Sequence, residues 1–314
     1  MEVLIARLSS PGLQRELNED NYLIMEQQNF AALFDGMGGH ESGEVASNMA
    51  KETIENLLNN SQIVNLRGFI EDSKSSLPPY AMDMVQTIRL ANRRIFNFMV
   101  ENAKKRGMGT TVVAIRLVDN LCSIAHVGDS RAYRIRNGSM EQLTNDHSLI
   151  SELIEDGDIS PDEAEYFEDR NVITRALGIY QTIKIDLRMD GVQGQDYFLL
   201  CSDGLTRTVP DQAILEIVLK HQDDLESAVG SLIQAANDAG GPDNITVILM
   251  KVIKLDPPYK YNFDSFSRKT IPEEDADVSV LEDKFIKSLF DSDRTTVVST
   301  KPWFLRYFSK NHEL

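Results

Sequence analysis

The sequence predicts an α+β fold, with antiparallel sheets covered on their outer faces by helices. Three observations predict it: short apolar runs of strand length, runs that follow one another directly, and longer segments with helical spacing.

The strand candidates include Phe30 to Phe34, Thr111 to Leu117, Leu121 to Val127, Tyr197 to Cys201 and Ile245 to Val252. They are short and, for the most part, rich in Val, Ile, Leu or Phe, as core strands are. Thr111 to Leu117 runs straight into Leu121 to Val127, which leaves no room for a crossover helix and requires antiparallel pairing. Helical spacing appears at Ala46, Met49, Ala50, Ile54 and Leu57, and again at Met84, Ile88, Ala91, Ile95 and Met99. Further helices read from Ile214, Ile217 and Val218, and from Leu225, Val229, Leu232, Ile233 and Ala236. Asp256-Pro257-Pro258 punctuates the pattern, so residues 1–254 read as one catalytic-sized domain and 255–314 as a C-terminal extension.

With 314 residues and 42% hydrophobic composition the chain can bury a large core without staples. Cys122 and Cys201 both lie in apolar strand-like runs, which reads as buried free thiols rather than a disulfide. The opening Met1-Glu2-Val3-Leu4 lacks the basic start and apolar stretch of a signal peptide, and no run reaches membrane-spanning length, so a cytoplasmic location is expected. A formal net charge of −17 would repel a phosphate backbone, which argues against nucleic acid as a partner.

The chemistry-bearing pattern is where the acids fall. Asp35 follows the run ending in Phe34, Asp129 follows Val127-Gly128, and Asp203 follows Cys201-Ser202. Asp243 opens the strand starting at Ile245, and Glu19 and Asp20 precede the Tyr22 to Met25 run. Any one of them alone reads as turn chemistry, since Asp-Gly at 35–36 and 203–204 is common in hairpins. Together they mark strand ends, and acids gathered at one edge repel unless protonated or neutralised by cations. Hard carboxylate oxygens suit Mg²⁺ or Mn²⁺. Two such ions about 3.5–4 Å apart share a water, lower its pKa and steady an in-line phosphoryl displacement. Arg15, close to Glu19-Asp20, is available as a bidentate phosphate clamp, although alone it reads as an exposed loop arginine.

A series of motifs runs in order along the chain: Arg15-Glu16-Leu17-Asn18-Glu19-Asp20, Asp35-Gly36-Met37-Gly38-Gly39, Gly107-Met108-Gly109-Thr110-Thr111 and Gly128-Asp129-Ser130-Arg131. Then come Leu143-Thr144 with Asp146-His147-Ser148, Thr174-Arg175-Ala176-Leu177-Gly178, Ser202-Asp203-Gly204-Leu205 and Gly241-Pro242-Asp243-Asn244-Ile245-Thr246. Singly these are weak; jointly and in order they are specific. The chain resembles the metal-dependent type 2C serine/threonine protein phosphatases, particularly their bacterial branch, from Arg15 to about Val252.

The resemblance implies a four-layer αββα sandwich with its metal centre at one end. It implies that Asp35, Asp203 and Asp243 hold one ion, while Asp35, the Gly36 carbonyl and Glu19 form the shell of a second, with Asp35 bridging. Asp20 resembles a residue that orders metal-bound water, and Asp129 a ligand of a third, weaker ion shared with Asp203. Arg15 resembles the phosphate clamp, and Asn244 supports Asp243 from behind. The implied activity is hydrolysis of phosphoserine and phosphothreonine on proteins by a metal-activated bridging water. Phosphoproteins, including a serine/threonine kinase or its substrates, are the implied partners.

One departure affects mechanism: where eukaryotic relatives carry a histidine proposed to protonate the leaving alkoxide, this chain has Met37. Metal-bound water is the first candidate for that role and His40 the second. Residues 149–172, with an acidic run from Glu163 to Asp169, resemble the family's variable flap. Read functionally, the flap gates access and favours substrates with basic residues near the phosphosite; read structurally, it is a solvated helical hairpin.

Beyond Leu255 the chain holds nine basic and eleven acidic residues, so the negative charge belongs mainly to the catalytic part. Leu281, Phe285, Leu289 and Phe290 suit one amphipathic helix face, and Trp303, Phe304, Leu305, Tyr307 and Phe308 cluster beside basic residues. Packing on the chain's own domain explains them, with docking to a partner or membrane surface as the alternative. Two other functional classes compete with the enzyme. A catalytically silent module is disfavoured by the intact acids, and a metal-dependent nuclease by the lack of a basic track.

Overall fold

The structure, a computed structural model, describes residues 1–38, 42–59, 77–164, 172–257 and 266–273. The chain begins with strands β1 (Glu2–Ser10), β2 (Asn21–Met25), β3 (Phe30–Phe34) and the short β4 (Gly36–Met37), followed by helices α1 (Ser42–Asn59) and α2 (Pro79–Glu101). Then come β5 (Gly109–Thr110), β6 (Val112–Val118), β7 (Leu121–Val127), β8 (Arg131–Arg136) and β9 (Ser139–Gln142). Two short helices, α3 (Leu149–Glu155) and α4 (Pro161–Ala164), precede β10 (Ile185–Gly191) and β11 (Tyr197–Cys201). The last elements are α5 (Asp203–Thr206), α6 (Asp211–Lys220), α7 (Leu225–Asp238), β12 (Ile245–Lys254) and β13 (Phe266–Ile271).

The strands form a five-stranded sheet in the order β1-β12-β11-β8-β9, a six-stranded sheet in the order β13-β10-β7-β6-β3-β2, and a β4-β5 pair. Their ladders are antiparallel. The side-chain alternation of β11 and β12 explains the layering. Phe198 and Leu200, with Ile248, Met250 and Val252, face the other sheet and meet Leu33, Val113, Ile115 and Ile124 there. Tyr197, Leu199 and Cys201, with Val247 and Leu249, point the opposite way, onto α6 and α7. On the far side α1 and α2 cover Phe30, Ala32, Phe34, Ala114, Ala125 and Val127. The result is the four-layer helix–sheet–sheet–helix sandwich.

Both faces of each central strand are therefore apolar, which is why these runs read as continuous hydrophobic stretches. Each fully buried Leu, Ile or Phe contributes about 1.5–3 kcal/mol. That packing fixes the strand ends on which polar residues are mounted.

Turns follow local chemistry. Asn137 and Gly138 take positive φ of 52° and 77° between β8 and β9, as a two-residue Asn-Gly hairpin requires. Asp119 and Asn120, at 53° and 60°, do the same between β6 and β7.

The segment after residue 254 is not wholly separate from the sandwich. β13 pairs with β10 at the sheet edge, Ile185 opposite Ile271 and Asp186 opposite Thr270. An Arg89 guanidinium N–H donates to the Pro272 carbonyl at 2.6 Å, which ties the same segment to α2. The amphipathic and aromatic clusters expected between Leu281 and Phe308 lie outside the described residues. Both cysteines are free and buried, and burial pushes both thiols up to about 12, so neither is poised as a nucleophile. Among the described residues no helix is long and apolar enough to cross a membrane.

Candidate metal centre

The topology brings the strand-end acids together. β3 lies in the six-stranded sheet and leads into Asp35, whereas β11 lies in the five-stranded sheet and leads into Ser202-Asp203. β12 pairs antiparallel with β11, Cys201 opposite Val247, so Asp243 before β12 falls at the same end as Asp203. Asp129 occupies the turn leaving β7, and Asp20 precedes β2. The acids thus converge at one end of the two sheets.

Each acid is positioned by backbone and neighbouring side chains. The Asp35 N–H donates to Thr111 Oγ1 at 3.0 Å, and the Asp35 carbonyl accepts from Thr111 N–H and Thr110 Oγ1, both at 2.9 Å. The Asp20 carboxylate accepts from Ser202 Oγ at 2.8 Å and Thr246 Oγ1 at 2.7 Å, both on Oδ2. Glu19 Oε1 accepts from the Gly43 N–H at 3.0 Å in the first turn of α1, where the helix dipole favours an anion. Ser47 Oγ donates to the Glu19 carbonyl at 2.7 Å.

Asn244 stitches the two ends of the site. Its Oδ1 accepts from the Glu19 N–H at 2.8 Å, while its Nδ2 donates to the Pro11 and Leu17 carbonyls at 3.1 and 2.9 Å. Arg15 reaches Asp243 Oδ2 at 2.9 Å with its side chain half exposed.

Glycines permit this crowding. A Cβ on Gly36 would lie 2.3 Å from the Gly43 carbonyl oxygen and 2.5 Å from that of Glu19, so no side chain fits. Gly12, at φ +76°, passes so close to the Asp243 carbonyl oxygen that a Cβ would lie 2.1 Å from it.

The electrostatics are those of an under-neutralised acid cluster. Loss of hydration, then the charges of Asp20, Asp203, Asp129 and Asp243, push the Asp35 carboxyl well above the usual range. Burial pushes Asp20 up to about 7 despite the hydrogen bonds from Thr246 and Ser202. Burial and Asp203 push Asp129 up to about 7, against the pull of Arg207. Asp203 is also raised, first by burial and further by the charge of Asp243, against the pull of Arg207.

The donor set fits hard divalent cations. Asp20 Oδ1 and Asp129 Oδ1 are buried oxygens without a hydrogen-bond partner. An orphaned buried carboxylate oxygen costs several kcal/mol unless a cation meets it. The residues present are all oxygen donors, the chemistry suited to Mg²⁺ or Mn²⁺ rather than to a soft metal.

Sequence reasoning missed Arg207. It follows α5 and lies 2.5 Å from Asp203 Oδ2 and 3.4 Å from Asp129 Oδ2. Its i,i+4 spacing from Asp203 was the available signal. Met37 packs its Cε against Gly109, where an added Cβ would come within 3.0 Å. Gly39, His40 and the acidic run after Ala164 lie outside the described residues. Of the described flap acids, Glu152 accepts from Thr174 Oγ1 at 2.7 Å and Glu163 from the Ser160 hydroxyl at 2.8 Å.

A second cluster, His126, His147 and Asp186, sets three possible ligand atoms within 4.8 Å of one another. It is already knitted together by other bonds. His147 Nδ1 accepts from the Gly128 N–H at 3.0 Å, so its proton sits on Nε2, 3.5 Å from Asp186 Oδ2. His126 Nε2 donates to the Asn145 carbonyl at 2.8 Å, and Asp186 also accepts from Thr270 and Arg175. These bonds brace the base of the flap behind Gly128-Asp129.

Comparison with known proteins agrees with this geometry. Residues 14–250 match the family model for protein phosphatase 2C. The serine/threonine phosphatase stp of Listeria innocua is 37% identical over 243 residues, 76% of this chain and 92% of that protein. The protein phosphatase PhpP of Streptococcus pneumoniae is 34% identical over 255 residues, 80% of this chain and 98% of its own. The crystal structure of the Mycobacterium tuberculosis serine/threonine phosphatase PstP/Ppp superposes with a TM-score of 0.70 at 32% identity, covering 80% of this chain and 99% of that one. A structure of the PstP catalytic domain in complex with two manganese ions gives a TM-score of 0.67 at the same identity, covering 80% of this chain and 99% of that one. With the ordered motifs, the sandwich and the acid cluster all in agreement, the chain belongs to the protein phosphatase 2C family.

Proposed function

We propose that the cluster at Asp35, Asp203 and Asp243 is the active site, that these three carboxylates hold one divalent ion, and that Asp35, the Gly36 carbonyl and Glu19 serve a second. The chain is a metal-dependent serine/threonine protein phosphatase. The observation that supports the site assignment is the raised Asp35 carboxyl, buried and surrounded by the charges of Asp20, Asp203, Asp129 and Asp243.

Bound Mg²⁺ or Mn²⁺ would supply Lewis acidity toward water and toward phosphoryl oxygens. The chain's own residues do the rest. Arg15 exchanges its Asp243 contact for the substrate phosphate, where its planar fork matches two oxygens. Asp20 Oδ1, lacking a partner of its own, orients water, while Ser202 and Thr246 hold the other oxygen. The water oxygen adds to phosphorus and the ester P–O bond breaks in line. The departing serine or threonine oxygen then takes a proton, which the Met37 thioether cannot give; water is the first candidate donor and His40 the second.

We also propose residues 1–254 as the catalytic unit, braced by β13 from the extension. Further proposals are a cytoplasmic setting, supported by the two free thiols, and a serine/threonine kinase or its substrates among the phosphoproteins.

The test is hydrolysis of a phosphothreonine peptide with and without Mn²⁺ by the parent and by Asp203→Ala. Turnover is expected only with metal, and the variant should lose more than about 100-fold, beyond the usual cost of removing a residue that merely supports a ligand. Full activity of Asp203→Ala would overturn the assignment.

A further inference from the structure

Arg207 is the one described cation that stands between two acids of the cluster on different sheets. Its guanidinium reaches Asp203 Oδ2 at 2.5 Å, at the end of β11, and Asp129 Oδ2 at 3.4 Å, in the turn after β7. The position is built locally. The Arg207 N–H donates to the Asp203 carbonyl at 2.8 Å, closing one helical turn, and at i,i+4 spacing the side chain returns over the Asp203 carboxylate.

Asp129 is enclosed: its side chain is 8% exposed and its Oδ1 meets no partner. Arg207, at 35%, keeps a path to solvent. A divalent ion shared by Asp129 and Asp203 would stand within a few ångströms of the guanidinium, where like charges repel strongly at reduced dielectric. Guanidinium and ion are therefore alternatives.

We propose that Arg207 is a built-in cation that competes with a divalent ion for the Asp129–Asp203 pair and so sets the affinity of any ion bound there. The inference rests on the metal-centre reading above. It adds that this pair is neutralised by the chain itself when ions are scarce, and that occupancy of the pair needs Arg207 to swing outward.

The experiment is calorimetric titration of the full chain with Mn²⁺, alongside counting of bound Mn²⁺ by electron paramagnetic resonance. It compares the parent, Arg207→Gln, Arg207→Lys and Arg207→Gln combined with Asp129→Asn. Removing the guanidinium should tighten the weakest class of site by about tenfold or more, the scale on which one neighbouring charge acts. The gain should vanish in the double variant, and Arg207→Lys should stay close to the parent.

Thermal melting supplies a second readout. Arg207→Gln should melt below the parent in chelator, and the gap should close as Mn²⁺ replaces the lost charge. Identical isotherms for parent and Arg207→Gln, or a gain that persists without Asp129, would overturn the inference alone. Absence of any Mn²⁺ binding to the parent would overturn it together with the metal-centre reading.

Discussion

Thr111 and Asp35 exchange two hydrogen bonds, the Thr111 N–H donating to the Asp35 carbonyl at 2.9 Å and the Asp35 N–H donating to Thr111 Oγ1 at 3.0 Å. The same hydroxyl lies 2.8 Å from Ser130 Oγ, beside Asp129. One buried threonine thus registers the acid that ends β3 against the acid that follows β7. Gly128 packs on it so closely that a Cβ would come within 2.5 Å of its Cγ2.

Thr111→Val removes that hydroxyl and keeps the shape. It is expected to lower Mn²⁺ affinity or turnover by about 10- to 100-fold. A stability loss of about 1–3 kcal/mol should accompany it, because the Asp35 N–H is left buried without an acceptor. Thr111→Ser should restore most of both. Metal titration and denaturant unfolding measure the two effects, and parental behaviour of the valine variant would show that Thr111 positions nothing.

Asp35 has acid neighbours on several sides, so without metal it opposes folding. Asp35→Asn is therefore expected to raise the melting temperature in chelator at pH 8, by about 2–4 °C per kcal/mol of repulsion relieved. Turnover should be abolished. Adding Mn²⁺ should reverse the order, stabilising the parent and not the variant. Differential scanning calorimetry with and without metal measures this, and a variant that melts lower in chelator would show that the acids do not repel.

Much of this arrangement was legible in the sequence, and the exceptions have physical causes. The central strands announce themselves because both faces are buried, and each acid follows or precedes such a run. β1 escaped because Ala6 is its only buried residue and Leu4 and Leu8 face outward. β8 and β10 read as polar because their charges satisfy one another: Arg134 with Asp190 at 2.8 Å, and Arg188 with Glu141 at 2.6 Å. Arg207 stands four residues after Asp203, but that spacing becomes a contact only through the helical turn of α5. The threonines of Gly109-Thr110-Thr111 were read as a motif, but backbone bonding to Asp35 has no signature in residue type alone.

Asp186 sits between β7 and β13. Burial alone would raise its carboxyl, but the hydrogen bonds from His147 and Thr270 hold it well below the usual range. With a folded pKa below the unfolded one, its contribution to stability is full above about pH 4 and is lost as the pH falls further. Asp186→Asn should therefore be less stable than the parent at pH 6, with the difference shrinking toward pH 3. Thermal melts across that range measure it, and a constant difference would contradict the assignment.

Acids far apart in sequence are proposed to share bound cations at one end of the sandwich. Anomalous diffraction from crystals grown with Mn²⁺ tests it most directly. Two strong manganese peaks are expected, both within bonding distance of Asp35, one also touching Asp203 and Asp243. Peaks elsewhere, or none between these carboxylates, would contradict it.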